Sequence, residues 1–460
     1  MENSGFLIAA PSSNSGKTVA SCALMAAFSQ LNKKVCAAKC GPDYIDPMFH
    51  REVLGVKSVN LDLFFSDKEE LQELYQNHMA DSDVSIIEGV MGYYDGTEFG
   101  KCDGSAYEIA KVLDLPVILV FPCRGMGVSA LALLKGMLEF REDHNIRGII
   151  LNRVSKGLYP RMKQMIESEL TRMGYSRIRV VGYIPENEVF RLESRHLGLV
   201  TPMELKKIQE QMQAAGTLIR ECVDLEEILR IAGKKVFEKP KCRKEQPDHS
   251  IRIAAAKDEA FCFYYKENLR CLRSLGCEIV PFSPIRDKCL PECCSGLILG
   301  GGYPELYAKQ LSENDSLMAE IRDRLKMGMP CLAECGGFLY LMDSMESQEG
   351  VSYPMVGVLK GTSENQGKLT RFGYVSVQAM EEGAFLKKGE VIKGHEFHHW
   401  DSTNNGNDCL AVKPDQTRRW ECMHMQGNIM AGFPHLYYPS NRKLVERFVV
   451  ACESVNEKER

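Results

Sequence analysis

Short apolar runs alternate with helical-period segments through the first half of the chain. The runs lie at 6–9, 35–39, 84–87, 117–121, 146–151 and 180–184. Each is brief, rich in branched residues and followed by turn-forming residues. That pattern predicts central strands of a mostly parallel sheet with helices on both faces. The pattern stops at 234–250, which carries Lys234, Lys235, Pro240 and Pro247 and little apolar content. This stretch reads as a linker. The alternation restarts at 251–256. A helix is expected over 260–275, a strand over 277–281, an apolar run at 296–299 leading into Gly300-Gly301-Gly302, and a strand over 330–333. No internal repeat is visible. The fold class is therefore α/β in two domains, 1–233 and 251–455, joined by 234–250; the first is a doubly wound, mostly parallel sheet.

Composition changes this picture little and narrows the function. The 460 residues suffice for two or three cores, and a formal net charge of −5 argues against nucleic acid as a partner. Any anionic ligand must be met by local donors. The start, Met-Glu-Asn-Ser-Gly, lacks a basic segment, and its apolar stretch is too short for a signal peptide or a membrane span. The 18 cysteines are scattered along a long chain and read as reduced thiols, which points to the cytoplasm. The sequence is compatible with a homo-oligomer and does not specify one.

The first run opens into Ala10-Pro11-Ser12-Ser13-Asn14-Ser15-Gly16-Lys17-Thr18, a strand, a small-residue turn and a helix start. Backbone N–H groups at a helix start can surround phosphate oxygens. Lys17 would reach the terminal phosphates and Thr18 would bind Mg²⁺. Pro11 stands where the strict phosphate-loop pattern has glycine, so Ser12, Ser13, Asn14 and Ser15 form the cradle of a variant loop. A second metal carboxylate is expected at a neighbouring strand end. Glu88 closes one such strand, and Asp43, Asp46 and Asp95 follow others. Each aspartate alone is equally well a turn residue capping its own backbone. Gathered at three strand ends, they favour a Mg-nucleotide site.

In the second half, Glu334-Cys335-Gly336-Gly337 falls between a short strand and the helical pattern 338–342. A nucleophile on a sharp strand-to-helix turn is exposed, and the helix start favours thiolate. The Gly336 N–H would face the developing oxyanion, with Gly301 of the glycine triplet as second donor. A thiol nucleophile needs a base. His435, His395, His398, His399 and His424 are candidates, and spacing does not choose among them. His395-Glu396-Phe397-His398-His399 formally satisfies a zinc-hydrolase pattern, but that mechanism needs a helix and the neighbours here predict strand and turn. Cys289, Cys293 and Cys294 lack a second cysteine pair and read as ordinary small apolar residues.

These motifs carry a resemblance. From end to end the chain resembles cobyrinate a,c-diamide synthases, through the loop ending Gly16-Lys17-Thr18, through 41–50, 88–96, 194–199, 257–265 and 300–306, and through the Glu-Cys-Gly-Gly elbow. The first half is similar to the dethiobiotin-synthetase type of P-loop domain, and the second to a class I glutamine amidotransferase domain. The resemblance implies that Lys17 and Thr18 hold phosphate and Mg²⁺ and that Asp43 and Glu88 complete the metal shell. It places Tyr44, Ile45, Asp46 and Asp95 where acyl-phosphate formation and carboxylate recognition occur, and makes Cys335 the nucleophile and His435 its base. Two departures stand out. Asn14 replaces a glycine usual in the loop. His435-Leu436-Tyr437 replaces the His-x-Glu of most class I amidotransferases, so something else must orient His435.

The implied reaction is ATP- and L-glutamine-dependent amidation of the a and c acetates of cobyrinate, with a protected path for ammonia. Hydrogenobyrinate and nickel-sirohydrochlorin are rival substrates. A ParA-like nucleotide switch is the rival from another class, and it leaves Cys335 unused. Arg191, Arg195, His196 and Arg371 are candidate grips for a polyanionic macrocycle.

Overall fold

The computed structural model describes residues 2–191, 202–236 and 251–459, and the chain divides into two compact units, Met1–Cys242 and Arg243–Arg460. The first unit is built on strands β1 (Glu2–Ala9), β2 (Val35–Cys40), β3 (Lys57–Leu61), β4 (Val84–Glu88), β5 (Val117–Pro122), β6 (Ile146–Asn152), β7 (Arg179–Ile184) and β8 (Lys235–Val236). Seven run parallel in the order β3-β2-β4-β1-β5-β6-β7, and β8 adds antiparallel to the outer end of β1. The six expected strands are all present. The sequence reading missed β3, whose Lys-Ser-Val-Asn-Leu mixes polar and apolar residues because Ser58 and Asn60 are buried with hydrogen-bond partners. It also placed Lys235 and Val236 in the linker, where they pair with Asn3 and Glu2 instead.

The helix Lys17–Gln30 is buried over nearly its whole length, which explains its almost uniformly apolar sequence. One side faces the sheet, and the helix Pro202–Cys222 covers another. At that crossing a Cβ on Gly216 would meet the Ala26 Cβ at 2.8 Å and the Ala27 backbone at 2.9 Å, so only glycine permits the approach.

The second unit has a six-stranded sheet in the order β11-β9-β12-β14-β24-β23. Its strands are β9 (Ile251–Ala256), β11 (Cys277–Phe282), β12 (Cys294–Leu299), β14 (Cys331–Glu334), β23 (His424–Gln426) and β24 (Ile429–Gly432). All neighbours are parallel except β23 against β24. The expected helix over 260–275 begins late: β10 (Phe261–Phe263) first pairs with β13 (Gly301–Gly302), and the helix runs Lys266–Ser274. The remaining strands are β15 (Ser344–Glu346), β16 (Ser352–Pro354), β17 (Thr362–Asn365), β18 (Arg371–Ala379), β19 (Val391–His398), β20 (Trp400–Ser402), β21 (Cys409–Val412), β22 (Arg419–Cys422) and β25 (His435–Leu436). Their pairing is antiparallel, except that β15 runs parallel to β17. They form a four-stranded sheet, β16-β15-β17-β20, and a five-stranded one, β22-β21-β18-β19-β25. No helix among the described residues is long and apolar enough to cross a membrane.

Candidate active sites

In the first unit the site forms where the strands end. Gly16 has φ of 92°, and a Cβ there would lie 2.4 Å from Asn152 Nδ2, so the turn into the helix requires glycine on both counts. Asn152, at the end of β6, donates to the Ser15 carbonyl at 2.8 Å and ties the loop to a strand two places along the sheet. Asn14 takes φ of 60°, the left-handed conformation that asparagine tolerates better than most residues, which accounts for its standing in a glycine's place. Lys17 donates from Nζ to the Ser12 carbonyl at 3.1 Å and to the Met91 carbonyl. Burial, helped by Lys39, brings its ammonium down to about 8.

The loop after β4 packs on the phosphate loop. Gly89 N–H donates to Ile8 O and Tyr93 N–H to Ala10 O, both at 2.9 Å. A Cβ on Gly92 would meet the Pro11 carbonyl at 2.6 Å. Thr18 Oγ1 donates to Glu88 Oε1 at 2.5 Å. The β2–β4 register sets Lys39 opposite Glu88, and its ammonium lies 2.7 Å from Glu88 Oε1 and 2.5 Å from Asp46 Oδ2. Burial alone would raise the Glu88 carboxyl, but Lys39 and then His50 outweigh it and hold the group well below the usual carboxylate range. Burial would likewise lower Lys39, and Glu88, Asp46 and Asp43 reverse that. A buried cluster of this kind is held by mutual pairing, since each charge left alone would cost several kcal/mol.

Of the residues expected here, Lys17, Thr18, Glu88 and Asp46 come together. Asp43 is turned to its own backbone: its Oδ1 accepts from Ile45 N–H at 2.7 Å and Asp46 N–H at 3.3 Å, at the start of the helix Ile45–Glu52. Asp95 Oδ2 accepts from Gly92 N–H at 2.8 Å. Tyr44 is the half-buried N-cap of that same helix. Lys39, His50 and Asn152 were missed; a lone lysine inside an apolar strand was the available signal for the first. The donor set fits Mg²⁺, a hard cation that takes few protein oxygens beside phosphates. The buried Glu88 Oε2 accepts no hydrogen bond among the described residues and lies 3.4 Å from His50 Nε2.

In the second unit Cys335 sits at φ 48° and ψ −107°, between β14 and the helix Gly336–Tyr340. Its backbone N–H donates to the Gly432 carbonyl at 2.8 Å. Cys335 therefore caps β14 beside the end of β24, and His435 follows Gly432 closely in the chain. The glycines around it are needed for space. A Cβ on Gly337 would lie 2.2 Å from the Leu299 carbonyl, and one on Gly336 would lie 2.8 Å from the Pro304 ring and 3.3 Å from Gly302 N. A Cβ on Gly301 would fall 2.3 Å from His435 Cε1. The glycine triplet thus lies against both the elbow and the imidazole, where oxyanion donors are required. The helix after Cys335 has only five residues, Gly336–Tyr340, and so offers a weak dipole for thiolate. Burial, with Glu305 adding to it, pushes the Cys335 thiol up, while the Gly336 N–H opposes this. Burial and His398 push His435 down to about 3. Both shifts favour the neutral form of the group concerned.

The other histidines have different places. His395 lies opposite His435 in the β19–β25 ladder. His398 stacks on Phe433 with 3.9 Å between ring centroids and donates from Nδ1 to the Trp400 carbonyl at 2.6 Å. His424 Nε2 contacts the Asn404 carbonyl at 3.0 Å. Because 391–398 is a strand, His395 and His398 point to opposite faces, and among the described residues no three His, Cys, Asp or Glu gather as a metal site. Of the candidate macrocycle grips, Arg191 pairs with Glu188 at 2.8 Å on the surface and Arg371 lies over the Trp420 ring at 5.2 Å. Arg195 and His196 fall outside the described residues.

Residues 6–200 match the CobQ/CobB/MinD/ParA nucleotide binding domain, and residues 252–443 match the CobB/CobQ-like glutamine amidotransferase domain. Over 456 residues the chain is 39% identical to a cobyrinate a,c-diamide synthase of Caldanaerobacter subterraneus subsp. tengcongensis, covering 98% of this chain and 99% of that one. Like-named proteins of Priestia megaterium and Listeria monocytogenes serotype 4b are 35% and 38% identical, over 100% and 97% of this chain and 99% of each relative.

Proposed function

The chain belongs to the cobyrinate a,c-diamide synthase family, and from that premise we propose how its two sites divide the reaction. The protein is a ligase that forms amides with glutamine as nitrogen donor, in cobalamin biosynthesis. One observation carries the reading: a single chain holds both a phosphate-binding strand end and a cysteine elbow with a buried imidazole near it.

A carboxylate is a poor acyl donor at neutral pH. In the first unit Lys17 and the N–H groups of Ser13 to Thr18 bind the phosphates of ATP, and the acetate carboxyl takes the γ-phosphoryl to become an acyl phosphate. Thr18, Glu88 and the Asp43 oxygen not engaged by its own backbone would hold Mg²⁺, which would supply neutralisation of phosphate charge. Asp46, Asp95 and Tyr44 border the acceptor carboxylate. Lys39 pairs with both Glu88 and Asp46 and favours the ionised Glu88.

In the second unit Cys335 attacks the glutamine side-chain amide, His435 moves the thiol proton to the leaving ammonia, and Gly336 with Gly301 stabilises the oxyanion. Water then clears the thioester as glutamate, and the ammonia displaces phosphate from the acyl phosphate. A cytoplasmic location suits the many free thiols.

The test is mass spectrometry of cobyrinate incubated with the enzyme, ATP, Mg²⁺ and glutamine. Two successive conversions of a carboxylic acid to an amide, with ADP formed at each, are expected. Amidation of hydrogenobyrinate or nickel-sirohydrochlorin in preference to cobyrinate would overturn the substrate, and glutamine-independent ADP formation without amide would overturn the reaction.

A further inference from the structure

We propose that Glu334, the residue immediately before the nucleophile, is the positioning residue for His435 and takes the place of the carboxylate that a His-x-Glu sequence supplies elsewhere. This rests on the reading of Cys335 and His435 as nucleophile and base. Position 437 is tyrosine, so no carboxylate follows His435 at that spacing. The parallel pairing of β14 with β24 puts Glu334 opposite Gly432, and Glu334 Oε2 lies 3.9 Å from His435 Nδ1. Glu334 and His435 are respectively 6% and 3% exposed, so water does not stand in for either.

The Glu334 carboxyl is itself held in place. The Tyr438 hydroxyl and the Leu436 N–H both bond to it, from the segment that carries His435. Its Oε1 accepts no hydrogen bond among the described residues. Another acid nearby, Glu396, is already engaged: it meets His398 Nε2 through Oε2 and Trp420 Nε1 through Oε1, both at 3.2 Å, while Glu305 acts on the Cys335 thiol. Glu334 is thus the carboxylate with capacity to receive a proton donor from the His435 side.

The chemistry needs such a group. To take the Cys335 proton at Nε2, the imidazole must carry its own proton on Nδ1. A shift of about 1 Å brings Nδ1–H into hydrogen-bond range of Glu334. When the thiol proton arrives at Nε2, the imidazolium formed faces a carboxylate, and the proton then leaves with ammonia. Burial raises the Glu334 carboxyl to about 8, and a positive charge on His435 opposes that burial and favours the carboxylate, the form the step requires. Other ionisable groups facing this pair are Cys335, His395, His398, Tyr264 and Tyr438.

The experiment compares wild type, Glu334→Gln, Glu334→Asp and Cys335→Ala in the full chain. It reads glutaminase kcat and KM, ammonia-dependent amidation, and the pH profile of Cys335 alkylation by iodoacetamide. Glu334→Gln is expected to lower glutaminase kcat by about 10²-fold, with KM for glutamine within about twofold, and to slow alkylation at pH 7 by about tenfold. Ammonia-dependent amidation, which uses the other unit, is expected to persist and reports folding. Glu334→Asp is expected to recover part of the loss; if the glutamine variant fails to fold, the aspartate variant is read by the same criteria. An unchanged kcat and alkylation profile, or a rise in KM alone, overturns the role of Glu334. Glutaminase surviving in Cys335→Ala overturns the underlying assignment instead.

Discussion

Gly301 shows how closely the amidotransferase chemistry depends on single atoms. Its missing Cβ leaves room for the His435 ring, which a methyl would meet at 2.3 Å. Contacts under 3 Å force something to move, and the group met here is the buried His435 ring, whose placement the reaction needs. Gly301→Ala is therefore expected to cut glutaminase kcat by at least about tenfold while ammonia-dependent amidation continues, since a misplacement near 1 Å can cost about 10²-fold. Steady-state assays with glutamine and with ammonium as alternative nitrogen donors check this. In the first unit Lys39 plays a comparable part. It is the cation that Glu88 and Asp46 share in a buried place. Sequence reasoning valued the acids and passed over this lysine, because a single charge in an apolar strand says nothing about its partner until the neighbouring strand is known.

At the scale of elements, strand ends and caps decide where the chemistry lies. The parallel sheets direct the carboxyl ends of β1, β2 and β4 to one edge, and those of β14 and β24 to another. The C-terminal helix Arg442–Glu459 is fastened to the turn before β19 by Arg447, whose guanidinium grips Glu390 with contacts of 2.5 and 2.7 Å. The Arg447 hydrogen bonds hold the Glu390 carboxyl down to about 2, against an ordinary value of 4.5. The unfolded chain thus binds the proton first as the solution is acidified. The stabilisation is complete above pH 4.5 and disappears as pH falls through about 2. The pair is partly open to solvent, so its worth is about 1 kcal/mol. Urea unfolding of Glu390→Gln is expected to show a deficit of that size at pH 7 that closes by pH 2. An equal deficit at both pH values would mean that packing, not the ion pair, was lost.

For the whole molecule the consequence is a division of labour that single substitutions can separate. Cys335→Ala is expected to abolish glutamine-dependent amidation and leave amidation supported by high ammonium. Lys17→Ala is expected to abolish amidation from either nitrogen source, by about 10³-fold or more, while glutamine hydrolysis persists. Paired measurements of glutamate release and amide formation give a crossed pattern if the sites are separate. Loss of every activity in both variants would show instead that neither site works without the other.

Much of this organisation is legible without coordinates because it is contiguous. The strand, small-residue turn and helix start around Gly16-Lys17-Thr18 occupy one segment, as do the elbow at Cys335 and the alternation that marks the parallel strands. Backbone conformation there is set by neighbours in the chain, so residue types suffice to read both the motif and its reaction. What only the folded structure decides is pairing between distant segments. The β2–β4 register sets Lys39 on Glu88, the joining of β14 to β24 brings Glu334 to His435, and the β19–β25 ladder sets His395 beside that imidazole. Asp43 and Asp95 show the converse, since their turn geometry binds their own backbones as any Asx turn would. Strand register has a period of two and is settled by packing over the whole sheet, so one chain's local pattern names the groups that can react but not which of them will touch.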